Sequence, residues 1–314
     1  MMVASAIAVI GTLVLAAGIA WPRAPLGRPG AAAGYPDSSA SDVPAPEPAT
    51  QSPGATPSSA PPSAVPSASA TSSAPGATPA AVPAGPPPAP PGWTLVDYDD
   101  FNGNTVDTQK WQVYEASSTN GTSQWLRSMV SVGGGELRIA GQGKNPDGQG
   151  NVSGGLCWCR GKGNQTYGMW QVRARFEKGN GYGQAILLWP QSNHWPDDGE
   201  LDFVETPFAS KTTAVGTVHW GSDNQEDERR VTGDYAAWHT YAVEWRAGSV
   251  KMSIDGVVYY DSTTSSRRPA IPDTPMQLAI QQEPGPFGTK WVPAPDSSTP
   301  DQVVMHIDWV RIYR

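Results

Sequence analysis

Six residues, Glu200-Leu201-Asp202-Phe203-Val204-Glu205, put three carboxylates on one short segment with apolar residues between them. Three ionised acids this close repel one another, which raises the pKa of at least one. A carboxyl group that keeps its proton beside one that has lost it can act as an acid next to a nucleophile or base. Cleavage of a glycosidic bond needs that pair. Acid-rich strand ends also serve as solvated surface or as calcium ligands, so the elements that hold the three acids decide between these readings.

On a strand, side chains alternate faces, so Glu200 and Asp202 share one face while Leu201 and Phe203 share the other. Strict alternation then sends Val204 to the acidic face and Glu205 into the core, where an unpaired carboxylate is costly. One extra residue at a β-bulge near Phe203–Val204 removes the conflict and returns Glu205 to the face of Glu200 and Asp202. The two glutamates are then about 13 Å apart at Cα. Inward curvature of the strand would let their long side chains lean together; a retaining glycosidase needs roughly 5–5.5 Å between its carboxyl groups, and an inverting one needs more room.

Alternation, not helical periodicity, dominates the surrounding chain. Trp170 to Phe176 has one apolar and one polar face, and Tyr241 to Trp245 repeats the theme. Ser249 to Ile254, Asp255-Gly256 and Val257 to Tyr260 read as a hairpin, because Asp-Gly supplies the positive φ of a tight turn. Further strands are expected at 136–140, 184–189, 213–220, 276–282 and 303–313. Short strands between Gly-, Pro- and Asn-rich turns predict an all-β, antiparallel sandwich or jelly roll.

The chain has 314 residues, including 32 Pro and 34 Gly. Residues 37–92 are almost entirely Pro, Ala, Ser, Thr and Gly, a composition that cannot bury enough surface to fold and predicts a disordered tether. Residues 93–314 are long enough for one domain with a sizeable core. In residues 1–36, the apolar run 3–21 predicts a signal peptide or a membrane anchor, and either exports the domain to the cell surface or beyond. The formal net charge of −8 argues against nucleic acid as a partner, since no basic stripe is present to neutralise phosphates. Twelve of the 13 tryptophans fall within residues 93–314, suited either to a core or to stacking against sugar faces. The two cysteines, Cys157 and Cys159, fit no metal or redox motif. Two thiols and a strained bridge both remain open, with Cα atoms about 6.6 Å apart on an extended strand.

Trp195-Pro196-Asp197-Asp198-Gly199-Glu200-Leu201-Asp202-Phe203-Val204-Glu205 resembles the W-P-x-x-G-E-[IL]-D-x-x-E run of the laminarinase-like branch of glycoside hydrolase family 16. The resemblance extends in order through 99–103, 168–175, 216–220, 238–245 and 307–313. It implies a curved two-sheet jelly roll and a retaining endo-β-glucanase acting on a polysaccharide, β-1,3- or mixed-linkage glucan. It also implies Glu200 as nucleophile, Glu205 as general acid/base, and Asp202 hydrogen-bonded beside the nucleophile. His219 falls at a family-like position and is expected to line the groove near the acid/base. The chain departs from the family where Gly183 and Leu187 replace expected tryptophans and where Gln281-Gln282-Glu283 replaces a Gly-Gly motif. Tyr182, Trp189 and Trp195 are the candidates for the missing stacking, Trp195 and Trp220 are candidates to line the groove or to pack in the core, and Glu283 is a further candidate contact. Catalysis needs no cofactor in this reading. Asp100, Asp308 and the carbonyl of Gly135 are expected to hold a structural calcium, as in many relatives. A monomer is expected. The rival readings are a glycan-binding domain on the same scaffold and a transglycosylase remodelling a surface polysaccharide.

Overall fold

A computed structural model describes Pro86, residues 88–288 and residues 291–314. The anchor or signal expected at 3–21, and residues 37–85 of the expected tether, lie outside the described residues. Among the described residues no helix is long and apolar enough to cross a membrane.

Two antiparallel sheets enclose one core, a two-sheet jelly roll. The seven-stranded sheet runs in the order Gln225–Thr232, Thr213–Trp220, Glu200–Thr206, Tyr182–Pro190, Met276–Pro284, Gly155–Cys157, Gln112–Val113. The opposing sheet runs Val257–Asp261, Ser249–Ile254, His239–Arg246, Gly168–Phe176, Val303–Tyr313, Glu136–Gly141, Val130–Gly133, with Leu95–Asp99 added on Val303–Tyr313. The expected strands are all present. The Asp255-Gly256 turn has φ of 50° and 79° at its two central residues, the left-handed pair that a two-residue hairpin demands.

The core forms because alternate residues of both sheets point inward. Trp170, Trp245, Phe176 and Tyr241 from one sheet pack against Ile186, Leu188, Leu278 and Ile280 from the other. The strand Glu200–Thr206 contributes Leu201, Phe203 and Val204, all fully buried in that core. Two consecutive inward residues require a break in alternation, and the register supplies it. Ile186 pairs with Val204 while Leu187 pairs with Asp202, so Phe203 is the extra residue. On the other side Asp202 pairs with Thr217 and Glu205 with Val215, three steps against two. The bulge therefore lies where the alternation conflict places it. Glu200, Asp202 and Glu205 share the face turned away from the core.

Cys157 and Cys159 are joined by a disulfide with Cα atoms 5.1 Å apart, nearer than an extended strand allows, because the chain leaves the Gly155–Cys157 strand after Cys157.

Candidate active site

The Glu200 end of the acidic strand is built around an ion pair. Glu200 pairs directly with His219 across to the Thr213–Trp220 strand. His219 Nε2 lies 3.1 Å from Asp202 Oδ2. On its other side, His219 Nδ1 meets Asn224 Oδ1 at 3.0 Å. The Asn224 amide donates to Glu226 Oε1 at 3.1 Å, which fixes its oxygen towards the histidine. Both ring nitrogens thus face acceptors, and only the imidazolium satisfies both. Burial opposes that charge, but the Asp202 carboxylate and the nearby Glu200 outweigh it and push the His219 pKa up to about 10. One oxygen each from Glu200 and Asp202 and a nitrogen of His219 lie within 4.8 Å of one another. Burial and the charge of Asp202 raise the pKa of Glu200, and His219 pulls it back. His219 was expected beside the acid/base; the structure sets it opposite Glu200 instead, because residue 219 pairs with 200 and residue 215 with 205.

The Glu205 end has no such cation in cross-strand register. Its partner there is Val215. Burial, then the Asp202 charge, push the Glu205 pKa up to about 8, against one hydrogen bond and the charge of His219, which both favour its ionised form. That bond comes from Trp291, whose Nε1 donates to Glu205 Oε1 at 3.0 Å. The strand end beneath is clamped by Lys211, whose buried ammonium donates to the carbonyls of Thr206 and Tyr182 at 2.8 and 2.7 Å. A buried amide chain adds to it: Thr206 donates to Gln184, and Gln184 donates to Gln282.

The structure sorts the remaining candidates. Trp189 and Trp195 stack at 6.1 Å with planes 14° apart, and they pack with Leu187, Ala185 and Ala279 in a cluster separate from the main core. Trp195 also lies 6.3 Å from His219, so this pair flanks the Glu200 end. Tyr182 does not belong with them. It is fully buried and its hydroxyl donates to the carbonyl of Gly143 at 2.9 Å. Trp220 packs against the main core, as its neighbour His219 on the acidic face requires. Glu283 is buried against Ser118, Thr119 and Asn120; burial pushes its pKa up to about 7, against the polar groups of that segment. The calcium expectation does not fit either. Asp100 is paired with Arg311 at 2.7 Å and Asp308 with Arg173 at 2.5 Å, and a guanidinium beside each carboxylate repels a divalent cation. Gly135 lies between the paired Val130–Gly133 and Glu136–Gly141 strands.

Four residues that touch the site escape a reading by pattern: Trp291, Asn224, Phe208 and Arg230. All but Arg230 come from loops, without periodicity. The one available signal was a tryptophan in a Pro-rich loop directly after a core strand, where burial alone does not account for it.

Comparison with known proteins follows the same lines. The family model for glycosyl hydrolases family 16 matches residues 110–311. A beta-glucanase of Rhodothermus marinus is 29% identical over 250 residues, covering 71% of this chain and 85% of that protein. Glucan endo-1,3-beta-glucosidase A1 of Niallia circulans is 26% identical over 269 residues, and there the chain spans only 38% of the relative's length against 71% of its own. The X-ray structure of the laminarinase from Rhodothermus marinus superposes with a TM-score of 0.61 at 27% identity, over 71% of this chain and 97% of that one. With the bulged strand and its acids in place, the chain belongs to glycosyl hydrolases family 16 and is a hydrolase of O-glycosyl bonds.

Proposed function

We propose that this protein is an exported, retaining endo-β-glucanase that cuts β-1,3- or mixed β-1,3-1,4-glucan. The observation that carries the mechanism is the bulge, which puts two glutamates on one face with a cation in register with only one of them. The His219 imidazolium opposite Glu200 favours negative charge there, and in this reading Glu205 carries the proton. Glu200 attacks the anomeric carbon while Glu205 protonates the departing oxygen. Water then gives a proton to Glu205, and its oxygen displaces Glu200, with net retention. The substrate class is supported by the names of the relatives in Rhodothermus marinus and Niallia circulans. Export is supported by the apolar run at 3–21 and by the disulfide, which suits an oxidising compartment. The protein acts as a monomer in this reading. A glycan-binding domain would leave the paired glutamates idle, and no feature favours it.

Glu200→Ala tests the proposal. Turnover of a β-1,3-glucan should fall about 10⁴-fold or more, and azide should restore part of it with an inverted glycosyl azide as product. Unchanged turnover in this variant removes the assignment. A panel of polysaccharides, with products read by mass, tests the linkage.

A further inference from the structure

Trp291 reaches Glu205 from 86 residues away in the sequence, and the route depends on a glycine. A β-carbon at Gly183 would stand 2.5 Å from Val292 Cγ2. The buried Val292 therefore sits over that strand only because position 183 has no side chain. Phe287 and Val292 exchange backbone hydrogen bonds at 3.0 Å each, which closes the loop carrying Trp291. Phe208 meets the Trp291 ring edge-on at 6.2 Å. The Arg230 guanidinium lies 5.5 Å from its centre, within cation–π range. The indole is thus held on three sides: by its loop, by Phe208 and by Arg230.

An indole nitrogen donates and never accepts. Its partner oxygen must offer a lone pair in every protonation state that Glu205 passes through. In the protonated acid the carbonyl oxygen is the stronger acceptor, so the indole selects Oε1 as the carbonyl and leaves the proton on Oε2. We propose that Trp291 is a positioning residue that fixes Oε2 as the oxygen through which Glu205 gives and takes its proton. The inference rests on Glu205 being the acid/base. In the first step the Oε2–H bond breaks as the glycosidic C–O bond breaks, and the proton goes to the departing oxygen. In the second, an O–H bond of water breaks towards Oε2 while the water oxygen bonds to the anomeric carbon and Glu200 leaves. The indole N–H also binds the carboxylate more strongly than the neutral acid, so it eases proton release once per cycle.

The test uses Trp291→Phe, which keeps a ring and deletes the N–H, in the full chain. On β-1,3-glucan, kcat/KM should fall about 10- to 100-fold, the range of one hydrogen bond to a charged group. On a glucosyl substrate with a dinitrophenolate leaving group, which needs no proton, kcat/KM should hardly change. The basic limb of the β-glucan pH profile should move up by about one pH unit. In a Glu205→Gln background the same substitution should add no further loss. Trp291→Gln, which returns an N–H, should recover part of the limb's position. Equal losses on both substrates with an unmoved limb would overturn the proposal, as would Phe and Gln variants that behave alike. Glu205→Ala keeps the two readings apart. If it turns over the dinitrophenyl substrate, with azide rescue and a retained product, the acid/base assignment stands whatever Trp291 does. If it matches the parent on β-glucan, that assignment falls first and the Trp291 proposal with it.

Discussion

The two ends of the acidic strand carry the same side chain on the same face, yet their surroundings differ in kind. Glu200 faces a buried ion pair, Asp202 with His219. Glu205 faces a neutral aliphatic partner in register and a neutral N–H donor from Trp291. Burial raises both pKa values, so burial alone cannot separate a nucleophile from an acid. The His219 imidazolium acts on both but stands in register with Glu200 alone, which biases the pair apart. Registers fixed by the bulge assign His219 to 200 and Val215 to 205, so a backbone irregularity becomes an electrostatic asymmetry.

The largest break in this contrast is Glu205→Gln. It removes the proton donor and leaves the Glu200 end untouched. Turnover of β-glucan should fall about 10²- to 10⁴-fold, and the basic limb, expected near the raised Glu205 pKa of about 8, should vanish from the kcat/KM profile. A limb that persists in this variant would assign the acid elsewhere.

His219→Gln attacks the other end. It keeps a hydrogen-bonding side chain and removes the cation, so the pull of His219 on Glu200 is lost. The acidic limb should rise by about one pH unit, with the basic limb moving less. Equal movement of both limbs would show that the cation serves both ends alike. Stability should respond with a defined sign. A histidine whose pKa rises from 6.5 unfolded to about 10 folded stabilises the fold below pH 6.5, and that contribution is lost as pH climbs through about 10. The difference in thermal midpoint between the parent and His219→Gln should therefore shrink across that window.

Glu205→Gln also predicts a gain. A carboxyl raised from 4.5 to about 8 holds its proton more tightly folded than unfolded, so it loses stability to the chain as pH rises from 4.5 to about 8. The neutral amide removes that loss. The variant should melt a few degrees higher than the parent at pH 8 and show little gain at pH 4, where both are uncharged.

Much of the site was legible because some costs are unambiguous. An acid directed into a core by alternation demands a bulge, and the segment Glu200–Glu205 shows it in six letters. Asp255-Gly256 is equally direct. Tyr182 was misread because the strand Tyr182–Pro190 is buried along its whole length, so its alternation carries no polar signal to mark a face. Trp220 was readable in principle: two successive residues cannot both join His219's face. The aspartates proposed for calcium look like ligands by type, but their arginine partners, Arg311 and Arg173, are set by register across strands. The place of Trp291 was not legible, although its type in a Pro-rich loop was, because that place depends on Gly183, Val292 and a loop closure, none of which has a period.

Glu283 gives the smallest and sharpest contrast, a third buried glutamate on the same sheet. It pairs in register with Gly183 on the neighbouring strand, which itself neighbours the catalytic one, and it faces the segment Ser118–Asn120 rather than the acids. Its pKa is raised from 4.5 to about 7, so it resembles Glu205 in titration and differs in company. Glu283→Gln should therefore reproduce the stability gain with a window ending near pH 7 instead of 8. It should leave both limbs of the β-glucan pH profile in place, because its charge is not among the chief influences on Glu200 or Glu205. A shifted limb in that variant would show that charge on the sheet acts beyond the catalytic strand, and the division of labour between Glu200 and Glu205 would then owe less to His219 than its register suggests.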